Sequence, residues 1–152
     1  RPPRSTLFPY TTLLRSLPKH HIRLTERRFG KLSLLNDAHF EIENTNSEIA
    51  IMPWGSSKGV AREAYDKLIS DNLNIGWIYS ICLNPLPKEV LKELRLKKIV
   101  IVPELNYQGQ WSSIMRMDGI NAVSVTQYTG LPFKPSELAE KIKEKIKQTM
   151  EV

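Results

Sequence analysis

The run Ile99-Val100-Ile101-Val102 constrains this chain most. It is four consecutive β-branched residues with no polar interruption. Successive side chains of a strand point to opposite faces, so a continuously apolar strand needs cover on both. Such a strand belongs inside a parallel sheet with helices on each side. The flanking sequence supplies those partners in alternation. "EIAIMPW" predicts a short strand, Ile49 to Met52, stopped by Pro53. Val60, Ala61, Ala64, Tyr65, Leu68 and Ile69 recur at helical spacing and predict a helix over Val60 to Asp71. "NIGWIYSI" reads as a second strand, "NPLP" as a break, and Lys88 to Leu96 as a helix with Val90, Leu91 and Leu94 inward. After the Ile99 strand, the glycine loop "NYQGQW" leads to a helix near Ser112 to Met117, and "INAVSVTQ" gives a fourth strand. The last helix is expected to begin at Ser136 as N-cap, with Glu137 and Glu140 in its first turn and Leu138, Ile142, Ile146 and Met150 as its stripe. The fold class is therefore α/β, a mostly parallel sheet with helices on both faces, over residues 48–152.

The remainder reads differently. Pro18 to Leu35 is basic and apolar without a clean stripe, and predicts a short basic helix. "NDAHFEIENTNSE" then has the Asn, Asp, Thr and Ser content of a loop. Residues 17–47 are thus expected to be the end of a preceding domain and its linker. "RPPRSTLFPYTTLLRS", residues 1–16, has three prolines, no acid and no sustained period, as a disordered tail would. It also matches the conceptual translation of a short-read sequencing adapter at every position but Leu14, where the adapter encodes Phe. The segment is set aside from the fold argument, and the protein-coding part is expected to start in mid-gene near Leu17.

Charge and cysteine usage exclude several classes. The net charge of +6 is inflated by Arg1, Arg4 and Arg15; the other residues hold 19 Lys and Arg against 16 Asp and Glu. That surface is ordinary and gives no basis for a nucleic-acid partner. No apolar run reaches the ~18 to 20 residues that span a bilayer, so no membrane partner is expected. Cys82 is the single cysteine, which precludes an intramolecular disulfide and any multi-cysteine metal or iron–sulfur site. A reducing cytoplasm is the simple reading.

Two loops carry the candidate residues. In "PWGSSKG", only three residues separate Gly55 and Gly59, and Lys58 precedes the second glycine, so neither the Walker loop nor the dinucleotide fingerprint is met. Gly55, Ser56, Ser57 and Lys58 form either a strand-to-helix corner or an anion contact at a helix start. In "ELNYQGQW", Glu104, Asn106 and Gln110 follow the C-terminal end of the buried strand, where α/β sheets place ligands. They serve either a ligand, the loop's own hydrogen bonds or a neighbouring subunit. His20, His21 and His39 lack metal spacing to one another and read as surface residues. Cys82 has no nearby base and reads as a buried structural thiol. Trp54, Trp77 and Trp111 are assigned to core and corner packing. No set of residues forms a nucleophile, an acid–base pair or a metal cage, so no catalytic and no metal-binding residue is expected in this chain.

Trp54–Gly59, "CLNPLPKEVLKEL", "VIVPELNYQGQ" and "QYTGLPFKPSELAEKI" follow one another in an order and with gaps that resemble the α subunit of 2-oxoacid:ferredoxin oxidoreductases. The similarity is to its second domain, which is like the C-terminal domain of transketolase, and spans roughly Glu48 to Lys145. Pro103 and Trp111 depart from the family's usual residues. The resemblance implies a fragment of an enzyme that oxidatively decarboxylates a 2-oxoacid, such as pyruvate or 2-oxoglutarate, to an acyl-coenzyme A and reduces ferredoxin. It implies thiamine diphosphate, Mg2+ and an iron–sulfur cluster in the complete enzyme, none of them in this fragment. Its implied partners are the β subunit, a second α subunit, ferredoxin through the complex, the 2-oxoacid and coenzyme A. "WGSSKG" would then shape a contact for coenzyme A or a subunit, and the fragment alone would be structural rather than catalytic. The competing expectation is a free-standing α/β module that binds an anion or nucleotide through Lys58 and the glycine loops.

Overall fold

The computed structural model describes residues 17–150. The segment set aside as adapter-like, residues 1–16, lies outside them. The chain divides into two compact units, with the sequence boundary between Asp37 and Ala38. Within the first, α1 (Pro18–Gly30) opens with proline at its first position and carries Arg27 and Arg28 in its last turn, where the helix dipole favours cations. None of its residues is buried, and a 3-10 segment (Lys31–Asp37) follows.

The second unit is one five-stranded sheet between two helical layers. Its elements are β1 (Phe40–Glu43), β2 (Ile49–Ile51), α2 (Lys58–Ser70), β3 (Gly76–Ser80), α3 (Lys88–Leu96), β4 (Ile99–Glu104), α4 (Gln110–Met117), β5 (Ala122–Thr126) and α5 (Pro135–Met150). The strand order is β1-β3-β2-β4-β5. β2, β3, β4 and β5 are parallel, and only β1 runs antiparallel, against β3. β4 is buried along its whole length. Its alternate residues serve different cores: Ile99 and Ile101 pack with α2 and α5 on one face, while Val100 and Val102 pack with α3 and α4 on the other. The alternation that demanded two covered faces is met residue by residue.

Four details depart from the sequence-based expectation. The connector read as loop contributes β1, in register with β3 from Phe40 opposite Ser80 to Glu43 opposite Trp77. Its two-residue period was masked by the Asn- and Asp-rich flanks, which do form turns. Asn44 takes a positive φ of 51° and donates hydrogen bonds to the Asn74 side chain and the Ile75 carbonyl, each at 2.9 Å. The last helix starts at Pro135, so Ser136 lies inside its first turn and is not the cap. Proline is favoured there because its missing N–H would have no helical partner. Ile69 and Met150, placed on inward stripes, are 39% and 64% exposed, each in the last turn of its helix. Cys82 is half-buried rather than enclosed.

Candidate functional site

The strand order creates a crevice between β2 and β4. From β2 the chain crosses to β3 by α2 on one face, and from β4 to β5 by α4 on the opposite face. Two neighbouring parallel strands whose following helices diverge to opposite faces leave a cleft beyond their C-terminal ends, the switch point where α/β sheets take ligands. Both loops singled out in the sequence meet there. Trp54, Ser56 and Ser57 from one side and Pro103, Leu105, Asn106 and Gln110 from the other line a cavity of about 280 Å3. The loops are stitched together beneath it: Met52 N donates to the Ile101 carbonyl at 2.9 Å, and the Ser57 hydroxyl reaches the Pro103 carbonyl at 3.4 Å.

Ser57 is buried and works on its own corner. Its hydroxyl donates to the Trp54 carbonyl at 2.8 Å and accepts from the Trp54 N–H at 3.2 Å. Gly55 takes a φ of +54° there, which glycine adopts at no steric cost. The short 3-10 turn Gly55–Ser57 then leads directly into α2.

Glu104 lies under the crevice with no exposed surface. One carboxylate oxygen accepts from the Trp111 N–H at 2.8 Å and the Asn106 side chain at 3.0 Å, and the other from the Ser112 N–H at 3.0 Å. These are free amides at the start of α4, which a carboxylate satisfies well. Asn106 completes the turn by accepting from the Gly109 N–H at 2.7 Å. Gly109 sits at φ +63°, and a Cβ on it would come within 2.8–2.9 Å of Ser124 and Ser112. Of the alternatives open for Glu104 and Asn106, the structure shows hydrogen bonding within their own loop.

Lys58 does not line the crevice. Its Nζ donates to Glu41 of β1 at 2.6 Å and lies 4.0 Å from the centroid of the Tyr79 ring. Glu41 also accepts from the Trp77 indole at 2.9 Å and faces the His39 ring at 3.4 Å. Burial pushes the Glu41 carboxyl up, but the hydrogen bonds from Lys58, Trp77 and His39 and the charge of Lys58 outweigh it and bring the pKa down to about 2. Beside it, Arg62 forks onto both oxygens of Glu43, one contact at 3.1 Å. This acidic edge was missed in the sequence. Its signal was "FEIE", in which Phe40 and Ile42 pack on the core while the two glutamates meet α2.

Tyr107, Tyr128 and Leu131 are well exposed, and Leu105 is 40% exposed. The two tyrosine rings meet edge to face at 4.9 Å. His21 and His39 are exposed, and His20 is half-buried. Trp77 and Trp111 are core residues, whereas Trp54 is half-buried at the crevice. No group of three or more His, Cys, Asp or Glu residues suited to a metal occurs among the described residues.

Residues 47–131 match the family described as pyruvate:ferredoxin oxidoreductase core domain II. The chain belongs to that family. The match takes in both crevice loops and ends just before α5. Among curated relatives, the 2-oxoacid:ferredoxin oxidoreductase subunit alpha of Saccharolobus solfataricus is 31% identical over 66% of this chain and 16% of its own length. The 2-oxoglutarate synthase subunit KorA of Methanocaldococcus jannaschii is 30% identical over 80% of this chain and 34% of its own. The fold also matches a solved 2-oxoglutarate:ferredoxin oxidoreductase from Magnetococcus marinus with 2-oxoglutarate, coenzyme A and succinyl-CoA bound. That likeness has a TM-score of 0.76 and 34% identity, and covers 86% of this chain and 24% of that one. The chain thus spans about a third or less of each of these proteins.

Proposed function

We propose that this core domain II works as part of the α subunit of a thiamine diphosphate-dependent 2-oxoacid:ferredoxin oxidoreductase, which converts a 2-oxoacid such as 2-oxoglutarate or pyruvate to an acyl-coenzyme A. The observation that carries the reading is the joint likeness in sequence and fold, over 86% of this chain, to the Magnetococcus marinus enzyme. The role assigned here is structural and subunit-contacting. The exposed side chains Leu105, Tyr107, Tyr128 and Leu131 at one end of the sheet support it, because apolar and aromatic surface of this kind is common where proteins meet. The β subunit is the proposed partner, with a second α subunit, and ferredoxin acts through the complex in the cytoplasm. Residues 17–47 are proposed to join this domain to the one before it.

The residues present do not fit an iron–sulfur cluster. Such a cluster takes several thiolates, and Cys82 is the single cysteine of the sequence. Thiamine diphosphate, Mg2+ and the cluster are proposed to lie in other parts of the complex. The contribution of this chain is to position subunits, and through Gly55, Ser56 and Ser57 to shape a surface near coenzyme A or a partner. The engagement of Lys58 by Glu41 weighs against a free-standing anion-binding module.

A domain exchange tests the reading. Residues 38–150 replace the matching domain of the Magnetococcus marinus α subunit, and 2-oxoglutarate- and coenzyme A-dependent ferredoxin reduction is followed. An assembled, active chimera is expected. A soluble chimera that no longer associates with the other subunits would refute it.

A further inference from the structure

The crevice at the switch point has hydrogen-bonding capacity left over, and none of it is charged. Its volume of about 280 Å3 falls just below the ~300–1,000 Å3 of small-molecule sites, which suits a compact ligand or one arm of a longer one. Trp54, Pro103 and Leu105 supply apolar wall. The Ser57 hydroxyl is engaged with the Trp54 and Pro103 backbone. Both ends of the Asn106 amide are engaged, by Glu104 and by the Gly109 and Gln110 N–H groups. The side chains of Ser56 and Gln110, by contrast, make no hydrogen bond among the described residues.

Charge decides what can use those groups. The Glu104 carboxylate lies beneath the crevice, fully enclosed, with backbone amides and Asn106 as its partners. The nearby cation in the sequence, Lys58, is held at 2.6 Å from Glu41. An anion entering the crevice would approach a buried carboxylate with no cation to receive it, and weak screening magnifies that cost. The Gln110 amide offers two donors and an acceptor, and the Ser56 hydroxyl offers one donor and two acceptor lone pairs. A flat group with one donor edge, one acceptor edge and apolar faces matches that set.

We propose that the crevice lined by Trp54, Ser56, Leu105 and Gln110 binds an uncharged ligand, or ligand arm, that carries a secondary amide. The proposal concerns the same loop that the oxidoreductase reading sets near coenzyme A or a partner, but its observations are those of the crevice, and the titration below tests it without the rest of the complex.

The test is an NMR titration of the 15N-labelled 152-residue chain with three probes: N-acetylglycine N-methylamide, N-acetylglycine at neutral pH as its anionic counterpart, and inorganic phosphate. The neutral amide is expected to give saturable shifts at the Trp54 indole, Ser56 and the Gln110 side chain, and the two anions to leave those signals in place. Gln110→Ala, at an exposed position in the first turn of α4, is expected to keep the spectrum of the fold and to weaken amide binding about three- to tenfold, as loss of one neutral hydrogen bond would. The proposal fails if the amide produces no saturable shift, if either anion binds the same signals as tightly, or if Gln110→Ala binds like the parent.

Discussion

Two glutamates in this domain have opposite surroundings, and their substitutions separate two kinds of electrostatic work. Glu104 is fully enclosed and caps α4. Glu104→Ala leaves the Trp111 and Ser112 N–H groups without an acceptor, and a lost hydrogen bond to a charged group costs about 1.5–3 kcal/mol. A loss of about 3 kcal/mol is expected in urea unfolding, with Glu104→Gln in between because one oxygen remains. Glu41 sits at the sheet edge, and its carboxyl is held at about 2, against an ordinary 4.5. A carboxyl whose pKa is lower folded than unfolded favours the folded state in its charged form. Its contribution is complete above the ordinary carboxylate range and fades as pH falls from there toward 2. Urea midpoints of the parent and Glu41→Gln should therefore differ at pH 7 and converge between about pH 4.5 and 2. A difference that persists unchanged to pH 2 would mean that the Lys58 contact does not govern the edge.

At the scale of elements, β1 is what joins the connector to the sheet. It pairs with β3, brings Phe40 and Ile42 to one core, and offers Glu41 and Glu43 to Lys58 and Arg62 of α2. The turn that follows is fastened by Lys97, whose buried Nζ donates to the Thr45 and Ser47 carbonyls at 2.7 and 2.8 Å. The same ammonium lies 2.6 Å from Glu93, close enough for an ion pair though not aligned as a hydrogen bond. A chain beginning at Glu48 loses all of this, whereas one beginning at Ala38 keeps it. The shorter chain is expected to unfold at a midpoint lower by about 1 M urea or more, since slopes run at roughly 1–3 kcal/mol/M. Equal midpoints would show that β1 adds nothing to the folded domain.

At the scale of the whole domain, two apolar cores share one sheet. Trp77 belongs to the core under α2 and α5, and Trp111 to the core under α3 and α4. Because β2, β3 and β4 each put residues into both, neither core can dissolve without exposing the other's strands. A cooperative transition follows for a domain of this size. Variants that retain Trp77 alone or Trp111 alone, with the other tryptophans changed to Phe, should report coincident urea transitions by fluorescence. Separate midpoints would mean that the two layers fold independently.

The sequence by itself determined the fold class, because a strand such as Ile99–Val102 can be apolar throughout only with both faces covered, and periodicity is a local property that needs no knowledge of neighbours. It also indicated the two loops of the crevice, since glycine, serine and amide residues after a buried strand mark the end where ligands bind. Three things required the tertiary structure. The strand order puts β2 beside β4 and so brings Trp54 and Ser56 to Gln110, a pairing across some fifty residues of chain. The inward turn of Glu104 and the capture of Lys58 by Glu41 depend on which partner lies within hydrogen-bond reach. The strand character of "FEIE" depends on β3 being available to pair with it. Spacing along a chain fixes which face a side chain takes within its own element, but charge neutralisation and edge pairing are settled between elements distant in sequence, where only the folded geometry chooses the partner.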